Sequence, residues 1–288
     1  MNEPLAAPPF LGVEADGPPV ASILPVPYDG TSTWRKGADR GPSALLEASA
    51  AVELYDIETA SEPWLHGIRT LPFLSCPADP EAMSSRVETE VGALLDAGQL
   101  PIVIGGEHSV TIGAVNAAAS RCPDLTVLQV DAHADTRESY EGSAFNHACV
   151  MARARERCAI VQVGIRSVDA EEMPALDPRR VFWAHELRDR PTGEWISRVT
   201  GLLGAHVYVT IDLDAFDPSL VPATGTPEPG GLDWYQVNDL LRAVARSSRV
   251  VGFDVVELLP APGEHASAFA AAKLVYRFLA EIFAARGE

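Results

Sequence analysis

The sequence predicts an α/β fold in which a mainly parallel sheet of roughly eight strands lies between two layers of helices. Short apolar runs bounded by Gly, Pro or Asp recur along the chain, as is typical of strands buried on both faces. They lie at residues 21–26, 101–106, 125–132, 159–164, 181–184, 207–214 and 249–258. Stretches with helical spacing of apolar residues alternate with them, at 41–55, 79–98, 109–121, 233–247 and 265–285.

The same pattern predicts the domain organisation. Residues 1–20 are rich in Pro and predict a flexible or extended N-terminal arm, whereas residues 21–288 predict a single domain, since no repeat or long linker divides them. Asp79 and Asp233 are expected to cap the helices that begin after them. The segment 61–79 has no readable pattern.

Charge and cysteine content limit the function. The chain carries 22 Lys and Arg against 40 Asp and Glu, a formal charge of -18, which argues against nucleic acid or membrane partners and suits a small cationic one. An acidic surface that serves only solubility explains the charge equally well. Its four cysteines lack C-x-x-C spacing, and neither an export signal nor a membrane span is evident. We therefore expect a cytoplasmic protein with reduced thiols.

Polar clusters follow several predicted strands, at the edge where ligands bind in open α/β sheets. In the cluster DAHAD, Asp131, His133 and Asp135 alternate along the chain, so an extended backbone would point all three the same way. Two carboxylates around an imidazole repel each other unless a cation lies among them. The cluster therefore predicts a metal site, although an exposed turn capped by Asp would also explain it taken alone.

A second cluster, IDLDAFDPS, ends the predicted strand 207–214. Asp212 and Asp214 would share a face, with Leu213 between them directed into the core. Asp217 stands before a Pro, a pair typical of a turn, so we expect it to be a cap and not a metal ligand.

A third cluster, IGGEHS, places His108 after two glycines at the start of a helix. Together the three clusters give a His2Asp4 set, too large for one tetrahedral zinc and suited to two octahedral ions that share carboxylates. Mostly oxygen ligands with two imidazoles favour two Mn2+ per chain, with Fe, Co, Ni or Zn as alternatives.

Five ordered motifs resemble the ureohydrolase family of arginases and agmatinases, namely GGEHS, DAHAD, IDLDAFDPS, PATGTPEPGGL and DVVEL. The resemblance extends over nearly the whole chain. It implies an arginase-like three-layer α/β/α fold and a binuclear manganese centre, where a metal-bridging hydroxide cleaves a guanidinium group to an amine and urea. It also implies a homotrimer or homohexamer.

The resemblance further implies the role of each ligand. One ion would be held by His108, Asp131, Asp135 and Asp212. The other would be held by Asp131, His133, Asp212 and Asp214, with Asp131 and Asp212 as bridges.

Three residues would then act on the reactants. Asp135 would orient the hydroxide, and Glu257 matches the family carboxylate that pairs with the substrate guanidinium. His147 matches the family histidine that passes a proton to the leaving amine. Without the resemblance, Glu257 would be interpreted as an exposed strand-end charge and His147 as a surface histidine at a helix start.

The loop after DAHAD bears on the substrate. Arginases have an Asn there that helps bind the substrate α-carboxylate, whereas this chain has Thr136 and Arg137, and its loop is similar to those of agmatinases. Agmatine carries a second positive charge, which Glu138 and Glu141 would suit as substrate-binding residues.

We therefore expect cleavage of agmatine to putrescine and urea. The alternative is N1-aminopropylagmatine, cleaved to spermidine and urea, followed by guanidinobutyrate or arginine. The complete ligand set argues against a metal-poor binding protein and against an amide hydrolase of the related deacetylase fold, which would need a single-zinc set.

Overall fold

A computed structural model describes residues 5–14 and 16–287. Its strands are β1 (Ala21–Val26), β2 (Ile68–Thr70), β3 (Leu100–Gly105), β4 (Leu125–Val130), β5 (Ala159–Ile165), β6 (Val181–Trp183), β7 (His206–Asp212) and β8 (Arg249–Val256). They form one 8-stranded sheet in the order β2-β1-β3-β8-β7-β4-β5-β6. Every neighbouring pair is parallel, which confirms the predicted sheet.

The helices are α1 (Gly41–Ser49), α2 (Pro80–Asp96), α3 (Val110–Ala119), α4 (Val150–Arg155), α5 (Ala184–Leu187), α6 (Thr192–Thr200), α7 (Trp234–Ser247) and α8 (Ala266–Arg286). Alternate strand residues feed two apolar cores, one on each face of the sheet. One core contains side chains of α1, α5, α6, α7 and α8, and the other contains those of α2, α3 and α4. The predicted three-layer α/β/α architecture is thus confirmed.

Helix ends follow the predicted capping chemistry. The Asp79 carboxylate accepts a hydrogen bond from the backbone N–H of Ala82, and Asp233 forms a capping box with Gln236. The predicted helix 41–55 is too long, because α1 ends at Ser49. The Ser49 hydroxyl donates to the Leu46 carbonyl and accepts from the Leu11 backbone, which ties the helix end to the N-terminal segment.

The described part of the predicted arm is held on the domain. Phe10 and Leu11 are buried in the core, and the ring of Phe10 packs edge-on against Tyr276 of α8. Burial of two large apolar side chains stabilises this attachment by about 3–6 kcal/mol. Residues 1–4 and 15 lie outside the described residues.

A buried ion-pair network attaches the loop after α1 to α8. Arg277 donates to Asp56 at 2.6 Å and to Glu281 at 2.9 Å, and all three side chains are buried. Among the described residues, no helix is both long and apolar enough to cross a membrane.

Candidate metal and guanidine site

The predicted site residues gather at the carboxyl edge of the four central strands. His108 follows β3, Asp131 follows β4, Asp212 ends β7 and Glu257 follows β8. These strands are neighbours in the sheet, so their ends bring the side chains into one region.

Five of the six predicted metal ligands form two overlapping groups of side chains, and the sixth, Asp135, lies beside His108. His108 Nδ1 lies 3.2 Å from Asp131 Oδ2, 3.0 Å from Asp135 Oδ2 and 3.4 Å from Asp212 Oδ2. His133 Nδ1 lies 2.9 Å from Asp214 Oδ2 and 3.8 Å from Asp131 Oδ1. The groups are His108–Asp131–Asp212 and Asp131–His133–Asp214, and within each group the ligand atoms lie within 4.8 Å of one another. Asp131 belongs to both groups, whereas Asp212, which was also predicted to be a bridge, belongs only to the first.

The chemistry of His108 fits a cation. Its Nδ1 is buried and has no hydrogen-bond partner within the described residues, although three carboxylate oxygens surround it. An imidazole nitrogen and carboxylate oxygens are all electron donors, so a shared divalent cation would satisfy them together.

The carboxylates show the cost of this crowding. Burial, then repulsion by Asp214 and Asp135, raises the pKa of Asp131 to about 7. Burial, then repulsion by Asp214 and Asp131, raises the pKa of Asp212 well above its ordinary value. Cations among these groups would favour the charged forms and relieve the repulsion.

His133 and Asp214 form an ion pair in which each side chain shifts the pKa of the other. Burial disfavours the charged imidazolium, but the Asp214 charge dominates and raises the pKa of His133 to about 11. Burial likewise opposes ionisation of Asp214, whose pKa the His133 charge lowers to about 2. Each group therefore stabilises the charged form of the other.

The backbone reaches this geometry differently from the predicted extended chain. β4 ends at Val130, and Asp135 has a left-handed backbone with φ of 52°, so DAHAD is not a continuous strand. The Asp135 carbonyl accepts from the backbone N–H of Met151 at 2.9 Å, which fixes this bend against α4. Leu213 is buried in the core as predicted. Asp217 accepts hydrogen bonds from Ser219, Gly230 and Gly231, which confirms a capping role.

Buried amides hold Asp131. Gln129 Nε2 donates to Asp131 Oδ2 at 2.7 Å, and Gln162 Nε2 donates in turn to Gln129 Oε1 at 2.6 Å. Neither glutamine was predicted from the sequence. Gln129 lies two residues before Asp131, so an extended backbone would point both side chains to the same face of the sheet. That spacing could have predicted their contact.

Glu257 lies beside the predicted metal ligands, and one of its carboxylate oxygens is held by a backbone hydrogen bond. Its Oε1 accepts from the His108 backbone N–H at 2.8 Å, and its own N–H donates to the Gly106 carbonyl at 2.8 Å. Its φ of 66° is left-handed, a strained conformation typical of functional positions. A Cβ at Gly106 would lie 1.9 Å from the Tyr28 carbonyl oxygen, so only glycine permits this packing of strand ends. Burial, and then the charge of Glu107, raises the pKa of Glu257 well above its ordinary value.

A cavity of about 330 Å³ opens over these groups. Its walls include His108, His133, Asp135, Asp212, Asp214 and Glu257. His147 also lines it, and its backbone N–H donates to Thr31 Oγ1 at 3.0 Å, with the ring Nδ1 3.3 Å from the same oxygen. Trp34, which is 74% exposed, stands on the wall.

Two predicted substrate-binding residues lie elsewhere. The Glu138 carboxylate is 70% exposed and pairs with Arg153 and Arg155 of α4, outside the cavity lining. Glu141 is exposed and is not among the lining residues. Neither side chain is brought to the cavity with the other predicted site residues, because the irregular loop after β4 turns both away from the strand ends.

Arg137 enters the cavity in their place. Its guanidinium lies 4.8 Å from the centre of the Tyr140 ring and 3.2 Å from Asp169 Oδ2. Its Nε lies 3.7 Å from Glu172 Oε2. This wall therefore combines an aromatic ring, two carboxylates and a cation.

Arg166 holds two loops that border the site. Its Nη2 donates to the main-chain carbonyls of Asp214 at 2.6 Å and Glu228 at 2.7 Å. Other bonds reach the carbonyls of Gly164, Ala215 and Phe216. The side chain thus fixes the backbone that carries Asp214.

Fold and site together define a class, that of α/β/α proteins with an imidazole and carboxylate metal site at the carboxyl edge of a parallel sheet. The family model described as "Arginase family" matches residues 20–280. The chain belongs to the arginase family and is a ureohydrolase, an enzyme that hydrolyses guanidino groups.

Individual relatives agree with this assignment. The chain is 38% identical to the N(1)-aminopropylagmatine ureohydrolase of Synechocystis sp., over 89% of this chain and 87% of that protein. It is 36% identical to the agmatinase of Pyrococcus horikoshii, over 88% and 89% of the two chains. The crystal structure of agmatine ureohydrolase of Thermoplasma volcanium matches with a TM-score of 0.84 and 34% identity, over 92% and 90% of the two chains.

Proposed function

We propose that this ureohydrolase cleaves N1-aminopropylagmatine to spermidine and urea, with agmatine as its second substrate. The observation that carries the reaction is the unpartnered Nδ1 of His108 among three carboxylate oxygens, next to Glu257 in the cavity. The order of substrates reverses the expectation from sequence, because the relative from Synechocystis sp. is named for the aminopropyl compound.

The proposed metal centre holds two divalent cations, with Mn2+ as the first choice. His108, Asp131, Asp135 and Asp212 would hold one, and Asp131, His133, Asp212 and Asp214 the other. When bound, such cations lower the pKa of a water and so supply hydroxide at neutral pH, which a poorly electrophilic guanidinium carbon requires.

The side chains around that centre would divide the remaining work. Glu257 keeps Oε1 on the His108 N–H and presents its charge to the substrate guanidinium, which it would orient by charge-assisted hydrogen bonds. Asp135, 3.0 Å from His108 Nδ1, would orient the attacking hydroxide. His147, held by Thr31 on the cavity wall, would give a proton to the leaving amine, so that urea and a neutral amine separate.

The cavity wall supports a cationic tail. Trp34 and Tyr140 offer aromatic faces and Asp169 a carboxylate, groups that attract the two amines of the aminopropyl tail. Arg35 and Arg137 lie on the same wall and would favour an anionic tail, so guanidinobutyrate and arginine belong in the test.

Initial rates of urea release from these four compounds, measured side by side, test the substrate. We expect the highest kcat/KM for N1-aminopropylagmatine and the next for agmatine. A preference for arginine or guanidinobutyrate would overturn the proposal.

Metal analysis of the purified protein tests the centre. We expect two ions per chain, and loss of one ion with most of the activity in His133→Asn and in Asp214→Ala. Asp217→Asn is the matched control, since Asp217 stands in the same segment but caps a loop. One zinc per chain, or full activity in Asp214→Ala, would contradict the assignment.

We further propose a cytoplasmic homotrimer or homohexamer, as expected of a symmetric enzyme of this family. Light scattering coupled to size-exclusion chromatography measures the assembly, and a monomer or dimer would refute it.

A further inference from the structure

A buried chain of hydroxyl and carboxylate groups lies behind His108, on the side away from the cavity. His108 Nε2 is 2.9 Å from Thr210 Oγ1, and Thr210 Oγ1 donates to Asp254 Oδ1 at 2.6 Å. His108 is 1% exposed, and Thr210 and Asp254 are 0% exposed. These hydrogen bonds are therefore shielded from bulk solvent.

The positions of the protons follow from what surrounds Asp254. Its Oδ2 accepts from Thr111 Oγ1 and from Tyr208 Oη, each at 2.9 Å. The carboxylate thus receives three hydroxyl donors, and among the described residues no Lys or Arg side chain donates to it. A carboxylate can only accept, so the Thr210 proton points at Asp254.

Because the Thr210 hydroxyl donates its proton to Asp254, the Thr210 oxygen can only accept a hydrogen bond from His108 Nε2. His108 then carries its proton on Nε2 and exposes the Nδ1 lone pair to the carboxylate cluster. We propose that Thr210 and Asp254 are positioning residues that fix this tautomer of His108 and so prepare Nδ1 to bind a metal ion. The inference rests on the metal centre of the proposed function.

The expected effect is on metal affinity. Hydrogen-bond partners behind a metal-binding histidine set its ring orientation and basicity, and their loss weakens metal binding by about 10–100-fold. Only the ion held by His108 should respond, because the ring of His133 lies near the carboxylates of Asp131, Asp214 and Glu228 and, among the described residues, does not pair with Asp254.

The test is Mn2+ titration of the metal-stripped full-length protein, followed by electron paramagnetic resonance of free Mn2+. Thr210→Val keeps the shape of the side chain but removes the hydroxyl, and should weaken one of two sites by about 10–100-fold. Thr210→Ser retains the hydroxyl and should restore wild-type affinity. Equal affinities in Thr210→Val and the wild type would overturn the proposal.

Thr126→Val is the matched control. Thr126 is a buried threonine of β4 whose hydroxyl accepts from the Gly204 N–H at the opposite end of the sheet. We expect it to lose stability but to bind both ions normally, which separates a metal effect from a folding effect. Equal weakening in Thr126→Val would overturn the specific role of Thr210.

A second measurement needs no variant and covers the case in which Thr210→Val does not fold. In the Zn2+-loaded, 15N-labelled wild type, the His108 ring should show a slowly exchanging proton on Nε2. A proton on Nδ1 instead would refute the tautomer. Failure of the proposed function is distinguishable, because the wild type would then bind no pair of ions at all.

Discussion

The charge of Glu257 provides the sharpest test of how the substrate is held. Glu257→Gln is nearly isosteric and retains an oxygen that can accept from the His108 N–H, now 2.8 Å from Oε1. The local backbone bonds should therefore survive. What disappears is the negative charge that faces the cavity.

The size of the effect follows from the loss of a charged partner in a partly enclosed site. Truncating one partner of a buried, hydrogen-bonded charge pair costs roughly 2–5 kcal/mol. Since Gln keeps one hydrogen bond, we expect Glu257→Gln to weaken transition-state binding by about 2–4 kcal/mol. This loss corresponds to a fall of about 30- to 1,000-fold in kcat/KM.

Steady-state urea release with N1-aminopropylagmatine and agmatine measures this fall, with metal content determined in parallel. Glu264→Gln is the matched control, because Glu264 also accepts from a backbone N–H, that of Ser267, but lies outside the cavity lining. A kcat/KM within threefold of the wild type, with both ions retained, would refute the assignment of Glu257 to the guanidinium.

Other perturbations test the frame around the site. Arg277→Met leaves Asp56 buried without its cation and should lower the free energy of unfolding in urea by about 3–5 kcal/mol; a loss under about 1 kcal/mol would contradict this. Hydrogen bonds from Ser219, first its hydroxyl, lower the pKa of Asp217 to about 2. The ionised carboxylate of Asp217 thus stabilises the folded state above its unfolded pKa, and this contribution is lost as pH falls through about 2. Asp217→Asn should therefore lower the free energy of unfolding at pH 6 by about 1 kcal/mol, a value reduced because the group is exposed to solvent. The variant should also unfold in acid with a weaker dependence on pH. Thr31→Val leaves the His147 N–H without its acceptor and should lower kcat several-fold, whereas Thr31→Ser should not.

Much of the fold could be predicted from sequence because seven of the strands are apolar runs buried on both faces. β2 was not predicted, because its three residues, Ile68–Thr70, are too few to show a periodicity. It lies at the edge of the sheet and pairs with β1. α6 was not predicted, because Thr192–Thr200 lies in a polar segment. The side chains of Trp195 and Val199 in this helix pack into the core.

The site was predictable where residue type carries the chemistry. Clustered Asp and His at strand ends have few explanations besides a cation, whichever way the backbone bends. Side-chain direction was not predictable in the loop after β4, where Arg137 enters the cavity and its neighbour Glu138 leaves it. Thr210 could have been found, since it stands two residues before Asp212 on the same face of β7.

The position of β8 has a consequence for how the enzyme becomes active during folding. Although β8 comes last in the chain, it lies between β3 and β7 in the sheet. Without it, the sheet consists of two separate halves, one bearing His108 and the other bearing the remaining five ligands. The six proposed ligands therefore come together only when the last strand lies between the two halves, and we expect metal binding to require a completely folded chain.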